Sequence, residues 1–193
     1  MQEWWGLVPH IKDIAGRFAK LGYLALAPDL YAGEAATDGE GATKLVAKHG
    51  ALAGDRARAA FHALKAHPDC TGKVGAVGYC FGGRMILHLA CYEPELSAAA
   101  PYYSGRMETY FDRVPNIRCP VLGMYGAEDH GIPLDTVRQL DTLLDATGVE
   151  HEIMIYPGAA HAFFNDTSAN YHAPSAQAAW QKTAAFFEKH LKA

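Results

Sequence analysis

Residues 73–92, KVGAVGYCFGGRMILHLACY, change character halfway. KVGAVGY has the length and apolar make-up of a buried strand, and FGGRMILHLACY reads as a helix. Cys80 stands between them, in the pattern Gly78-Tyr79-Cys80-Phe81-Gly82. A strand that passes straight into a helix needs a sharp, strained turn. Glycines two residues either side of its tip remove side chains that would clash there. The tip residue is then presented beside a helix N-terminus, whose free N–H groups favour a thiolate or an oxyanion.

The rest of the chain keeps the same alternation. Residues 9–21 carry Ile11, Ile14, Ala15, Phe18 and Leu21 at helical spacing, with Pro9 suited to the first turn and Gly22 to the stop. YLALA (23–27) reads as a strand closed by Pro28, and 28–41 as a loop. Residues 42–66 read as two helices broken at Gly50 and Gly54. SAAAPYY (97–103), PVLGMYG (120–126) and HEIMIYP (151–157) read as further strands. An amphipathic helix is expected at 133–148, between Pro133 and Gly148, and a terminal helix at 174–191. Strands alternating with helices predict an α/β fold, with a mostly parallel sheet and helices on both faces. The 193 residues suit one domain, 1–193.

Several function classes are disfavoured. The net charge is −4 and no Lys/Arg cluster offsets it, so no nucleic-acid partner is expected. No apolar run reaches the length of a membrane span. The start, MQEWWGLVPH, lacks the basic and apolar parts of a signal peptide, so a cytoplasmic location and no membrane partner are expected. The four cysteines form no CxxC pair and the ten histidines no HExxH, so neither a metal nor a cofactor is expected. Cys70, Cys91 and Cys119 read as structural thiols.

Ligands of such sheets bind beyond the carboxyl ends of the strands. Cys80 follows the strand at 73–79, Asp129 the one at 120–126, and His161 the one at 151–157. A thiol, a carboxylate and an imidazole therefore share one sheet edge, in the chain order nucleophile, acid, histidine. Glu128 competes for the acid role, and Asp129 is preferred as the group that orients one ring nitrogen of His161. His130 reads as a loop residue. The rival phosphate-loop reading, from the Gly78-to-Gly83 spacing, fails because Arg84 and Met85 stand where lysine and Ser/Thr are required. A thiol nucleophile gives an acyl thioester and suits activated esters and lactones.

On QEWWGL (2–7), GYLALAPDLY (22–31), VGAVGYCFGGR (74–84), YGAEDHGIP (125–133) and YPGAAHAFF (156–164), the chain resembles the dienelactone hydrolase family of α/β-hydrolases, carboxymethylenebutenolidase-like enzymes. The resemblance implies the α/β-hydrolase fold and a triad of Cys80, Asp129 and His161. It implies that Glu3 holds the resting thiol and is displaced by substrate. It also implies an oxyanion hole from the backbone N–H groups of Trp4 and Phe81, with Tyr102 and Tyr103 bordering the substrate pocket. The expected function is hydrolysis of a small-molecule carboxylic ester or lactone. A non-catalytic ligand binder or thiol redox sensor on the same fold is the reading from another class.

Two departures from the family follow. The sequence begins without the family's N-terminal strands, including the one that leads into the Gln2-Glu3 loop. An exposed sheet edge is then expected to favour a homo-oligomer or low stability. Members acting on dienelactone grip the substrate carboxylate with arginines, one of them four residues after the catalytic histidine. That position is Asn165 here, and Arg84 lies on the helix after Cys80.

Overall fold

The computed structural model describes residues 1–192. Its centre is a four-stranded, all-parallel sheet in the order β1 (Gly75–Tyr79), β2 (Ala98–Tyr102), β3 (Val121–Gly126), β4 (His151–Tyr156). Every residue of β2 and β3 is buried, as expected for central parallel strands covered on both faces. The helices are α1 (Pro9–Lys20), α2 (Gly39–Lys65), α3 (Phe81–Tyr92), α4 (Leu134–Thr147) and α5 (Ala173–Phe187). They cover both faces. A Cβ on Gly75 would meet the Phe187 ring of α5 at 2.9 Å, and one on Gly78 would meet Ile86 of α3 at 2.8 Å. Residues three apart on a strand point to opposite sides, so α5 and α3 lie on opposite faces. No helix among the described residues is long and apolar enough to cross a membrane.

The helix ends follow local chemistry. Pro9 opens α1, which buries His10, Ile11, Ile14 and Phe18. The Asp38 carboxylate caps α2 by accepting from the Gly41 N–H at 2.7 Å. Gly148 takes the left-handed conformation that ends α4, with φ 71°.

Three expectations need correction. Residues 39–65 form one continuous helix of 27 residues, not two. Gly54 is there for packing: a Cβ would stand 2.6 Å from the His88 ring of α3, so α2 and α3 meet closely at that point. Gly50 has no such neighbour, the nearest atom being Val46 Cγ1 at 3.8 Å. Gly50→Ala is therefore expected to stabilise the protein by roughly 0.5–1 kcal/mol, through helix propensity alone. Gly54→Ala is expected to destabilise it, and urea unfolding of the two variants checks the contrast. A 3₁₀ helix at Met107–Asn116 had no counterpart in the sequence pattern.

The third correction concerns YLALA. Residues 23–27 join no ladder, and Leu24 and Leu26 are 42% and 47% exposed. A cavity of about 240 Å³ is lined by residues 22–28 on one side and 73–77 of the β1 edge on the other. An apolar run becomes a strand only with a hydrogen-bonding partner about 4.8 Å away. Both segments line this cavity, and residues 23–27 form no ladder with β1. At its end, the Met1 amine donates to the Val77 carbonyl and the Tyr79 N–H donates to the Met1 carbonyl at 3.3 Å. That is the bonding pattern of a parallel pair, so the segment entering the Gln2-Glu3 loop is seated against β1.

Candidate active site

Cys80 sits between β1 and α3 with φ 54° and ψ −112°. This region costs a non-glycine residue energy and persists only where the surroundings hold it. Its own backbone is tied down, since the Cys80 N–H donates to the Tyr102 carbonyl at 3.1 Å and its carbonyl accepts from the Arg84 N–H at 3.2 Å. The flanking glycines have separate duties. A Cβ on Gly78 would lie 2.4 Å from the Gly82 carbonyl oxygen. A Cβ on Gly82 would lie 2.5 Å from the Gln2 carbonyl oxygen and 2.6 Å from that of Met1. Gly82 thus lets the Gln2-Glu3 loop press against the turn. Gly83 approaches the Tyr102 carbonyl oxygen in the same way, at 2.4 Å.

The turn after β3 carries Asp129, and the turn after β4 carries His161. Gly126 lets these two turns touch, because a Cβ there would meet the Ala159 carbonyl oxygen at 2.2 Å. His161 Nδ1 donates to Asp129 Oδ2 at 2.7 Å, and Asp129 Oδ1 accepts from the Gly131 N–H at 2.9 Å. The Asp129 side chain is 1% exposed and the His161 side chain 35%. Glu128 and His130 are exposed. Burial pulls the imidazole pKa down, but hydrogen bonds to Asp129 and to the Cys80 thiol, and the charges of both, outweigh it. The result is a rise to about 10. With Nδ1 committed to Asp129, the nitrogen facing the thiol is Nε2. His161 is thus hydrogen-bonded to Asp129 and lies near enough to Cys80, 81 residues earlier in the chain, for the thiol to raise its pKa.

Glu3 is 1% exposed. Its Oε1 accepts from the Tyr103 hydroxyl at 3.3 Å and its Oε2 from Asn165 Nδ2 at 2.7 Å. Burial raises its pKa, against the lowering pull of these bonds and of His10 and His161. The carboxyl is thus at the site, held by Tyr103 and Asn165. The loop behind Glu3 is anchored: Gln2 Oε1 accepts from the Leu30 N–H at 3.0 Å, and the Ala36 N–H donates to the Trp5 carbonyl at 2.9 Å. As the first residue of α3, Phe81 keeps an N–H with no intrahelical partner. Among the described residues the Trp4 N–H donates to no backbone carbonyl.

Tyr102 does not border a pocket. It is fully buried, and its hydroxyl donates to the Ala179 carbonyl at 3.0 Å and meets Thr183 Oγ1 at 2.6 Å, both on α5. Tyr102 is the last strand residue and enters the core, while Tyr103, just past the strand end with φ 31°, turns to the site. There Tyr103 stands edge-on to His161, with ring centroids 5.1 Å apart. Cys91 and Cys119 are buried, with thiols pushed up to about 12 by burial, and all four cysteines are free. No group of three or more His, Cys, Asp or Glu among the described residues is placed to hold a metal.

A parallel sheet with a strained Cys turn, an acid and a histidine at its carboxyl edge defines the class. A solved structure from Klebsiella pneumoniae, provisionally named a dienelactone hydrolase, superposes with a TM-score of 0.83 at 35% identity, over 96% of this chain and 83% of that one. A dienelactone hydrolase-like promiscuous phosphotriesterase from metagenomic libraries superposes with a TM-score of 0.85 at 28% identity, over 97% and 83%. The fold is that of the α/β-hydrolases. The sequence model of the dienelactone hydrolase family matches residues 1–191. A Yersinia pestis protein provisionally named carboxymethylenebutenolidase is 35% identical over 204 residues, spanning 98% of this chain and 76% of that protein. The chain belongs to the dienelactone hydrolase family.

Proposed function

We propose that the protein hydrolyses a small carboxylic ester or lactone by way of an acyl thioester on Cys80. The observation that carries this reading is the Asp129–His161 hydrogen bond set beside the Cys80 thiol, which sits on a strained strand-to-helix turn. In acylation the thiolate sulfur attacks the carbonyl carbon. The C=O electron pair moves onto oxygen, where the N–H groups of Trp4 and Phe81 receive it. The intermediate collapses, the ester C–O bond breaks, and the His161 imidazolium protonates the departing alkoxide from Nε2. In a lactone that alkoxide stays tethered to the acyl group. In deacylation neutral His161 takes a proton from water, the hydroxide attacks the thioester, and thiolate leaves. Asp129 accepts from Nδ1 throughout, so the ring keeps Nε2 toward the reacting atoms.

Steady-state hydrolysis of p-nitrophenyl acetate and of cis-dienelactone tests the reading. Turnover of either is the expected result. A folded protein whose thiol is alkylated or oxidised but which turns over neither ester would replace the hydrolase with a binder or thiol sensor.

A further inference from the structure

Asn165 occupies the place where dienelactone-cleaving relatives carry an arginine for the substrate, yet both ends of its amide are bonded inside the protein. Oδ1 accepts from the Thr167 backbone N–H at 2.9 Å and from the Thr167 hydroxyl at 2.7 Å. A backbone N–H can only donate, so the atom it meets is the oxygen and the amide orientation is settled. Nδ2 therefore faces Glu3 and donates to Oε2 at 2.7 Å. Asn165 is 4% exposed, and the Tyr103 hydroxyl completes the grip on Oε1. Two neutral donors, one on each oxygen, set the plane and the aim of the Glu3 carboxyl.

We propose that Asn165 is a positioning residue for Glu3, oriented by Thr167, and takes no part in recognising a substrate carboxylate. Its effect reaches the reacting atoms through the Glu3 charge. The titratable groups facing Glu3 are His10 from α1, Tyr79 from β1, Tyr103 after β2, and His161 from the turn after β4. The Asn165 bond favours the carboxylate, which burial opposes. A charged Glu3 in turn favours the His161 imidazolium, because the attraction is mutual. Losing the Nδ2 donor removes part of that negative charge, so the imidazolium is held less strongly and its titration midpoint falls.

The experiment compares Asn165→Ala, Glu3→Gln and the double variant. His161 titration is followed by NMR, with kcat and KM for p-nitrophenyl acetate and for a p-nitrophenyl ester that bears a free carboxylate. Asn165→Ala should lower the His161 midpoint and cut kcat about tenfold for both esters, with KM within about twofold. In the Glu3→Gln background it should add almost nothing, since the group it acts through is gone. Thr167→Val removes one of the two bonds on Oδ1 and should give a smaller shift in the same direction, which covers the case of an Asn165→Ala variant that does not fold. An Asn165→Ala effect of equal size with Glu3→Gln present would overturn the proposal. So would a loss confined to KM for the carboxylated ester. The kinetic arm rests on the thiol-hydrolase reading. The titration arm does not, so a protein without turnover still tests the role of Asn165.

Discussion

Cys80→Ala is expected to leave less than about one-thousandth of the wild-type rate of p-nitrophenyl acetate hydrolysis. The thiol sulfur is the protein atom that bonds to the acyl carbon in the proposed scheme. His161 and Asp129 keep their 2.7 Å bond without it, but they have nothing to activate except water. The oxyanion donors and whatever binding the site offers remain, and they account for the small residual rate. The fold should not suffer. The Cys80 backbone is held by Tyr102 and Arg84 through main-chain atoms, which alanine retains. Stability is thus expected to change by no more than about 1 kcal/mol. Thermal melting and rate measurements on the same sample separate the two effects. A variant that melts like wild type and hydrolyses at the wild-type rate would remove Cys80 from the mechanism.

Gly78→Ala should do the opposite and strike the fold first. The added Cβ falls 2.4 Å from the Gly82 carbonyl oxygen, 2.6 Å from the Gly82 carbonyl carbon and 2.8 Å from Ile86 Cγ1. Two of these are backbone atoms with no rotamer to escape into. Nor can α3 easily retreat, because Gly82 is already pressed between the turn and the Met1-Gln2 backbone. The expected loss is about 3 kcal/mol, which lowers the melting midpoint by roughly 6–12 °C for a chain of this size. Activity should drop further than the folded fraction does, since a misplacement of about 1 Å at the nucleophile can cost on the order of 100-fold. A Gly78→Ala variant with wild-type melting would show that the turn has slack that the close contacts deny. The contrast with Gly50→Ala, where the added Cβ makes only an ordinary contact with Val46 at 3.8 Å, makes the point that the neighbours and not the residue type decide the sign.

Much of the architecture was legible in local pattern. α3 and the strand before it, the αL stop at Gly148 and the three strands at 98–102, 121–126 and 151–156 follow from periodicity and punctuation, which depend only on neighbours in the chain. The strand end does not separate Glu128 from Asp129, which both follow it; the 2.7 Å bond from His161 Nδ1, 32 residues on, does. What failed were readings that need a partner. YLALA has the composition of a strand but no ladder. Gly54 has the look of a helix breaker but serves the approach of His88, 34 positions away. Tyr102 and Tyr103 are adjacent in sequence and differ in surroundings, since the strand ends between them: Tyr102 bonds into the core and Tyr103, at φ 31°, reaches Glu3.

The same division holds at the site. The sequence by itself determined which chemical groups the sheet edge carries, a thiol, a carboxylate and an imidazole, because each stands directly after a strand and strands in a parallel sheet end on one side. It also marked Asn165 as the position that departs from the family. Only the tertiary structure decided what Asn165 does, by bringing its Nδ2 to the Glu3 carboxyl across 162 residues while Thr167 holds its Oδ1. Hydrogen bonds between distant residues leave no periodic trace in the chain, because neither partner's neighbours are altered by the pairing.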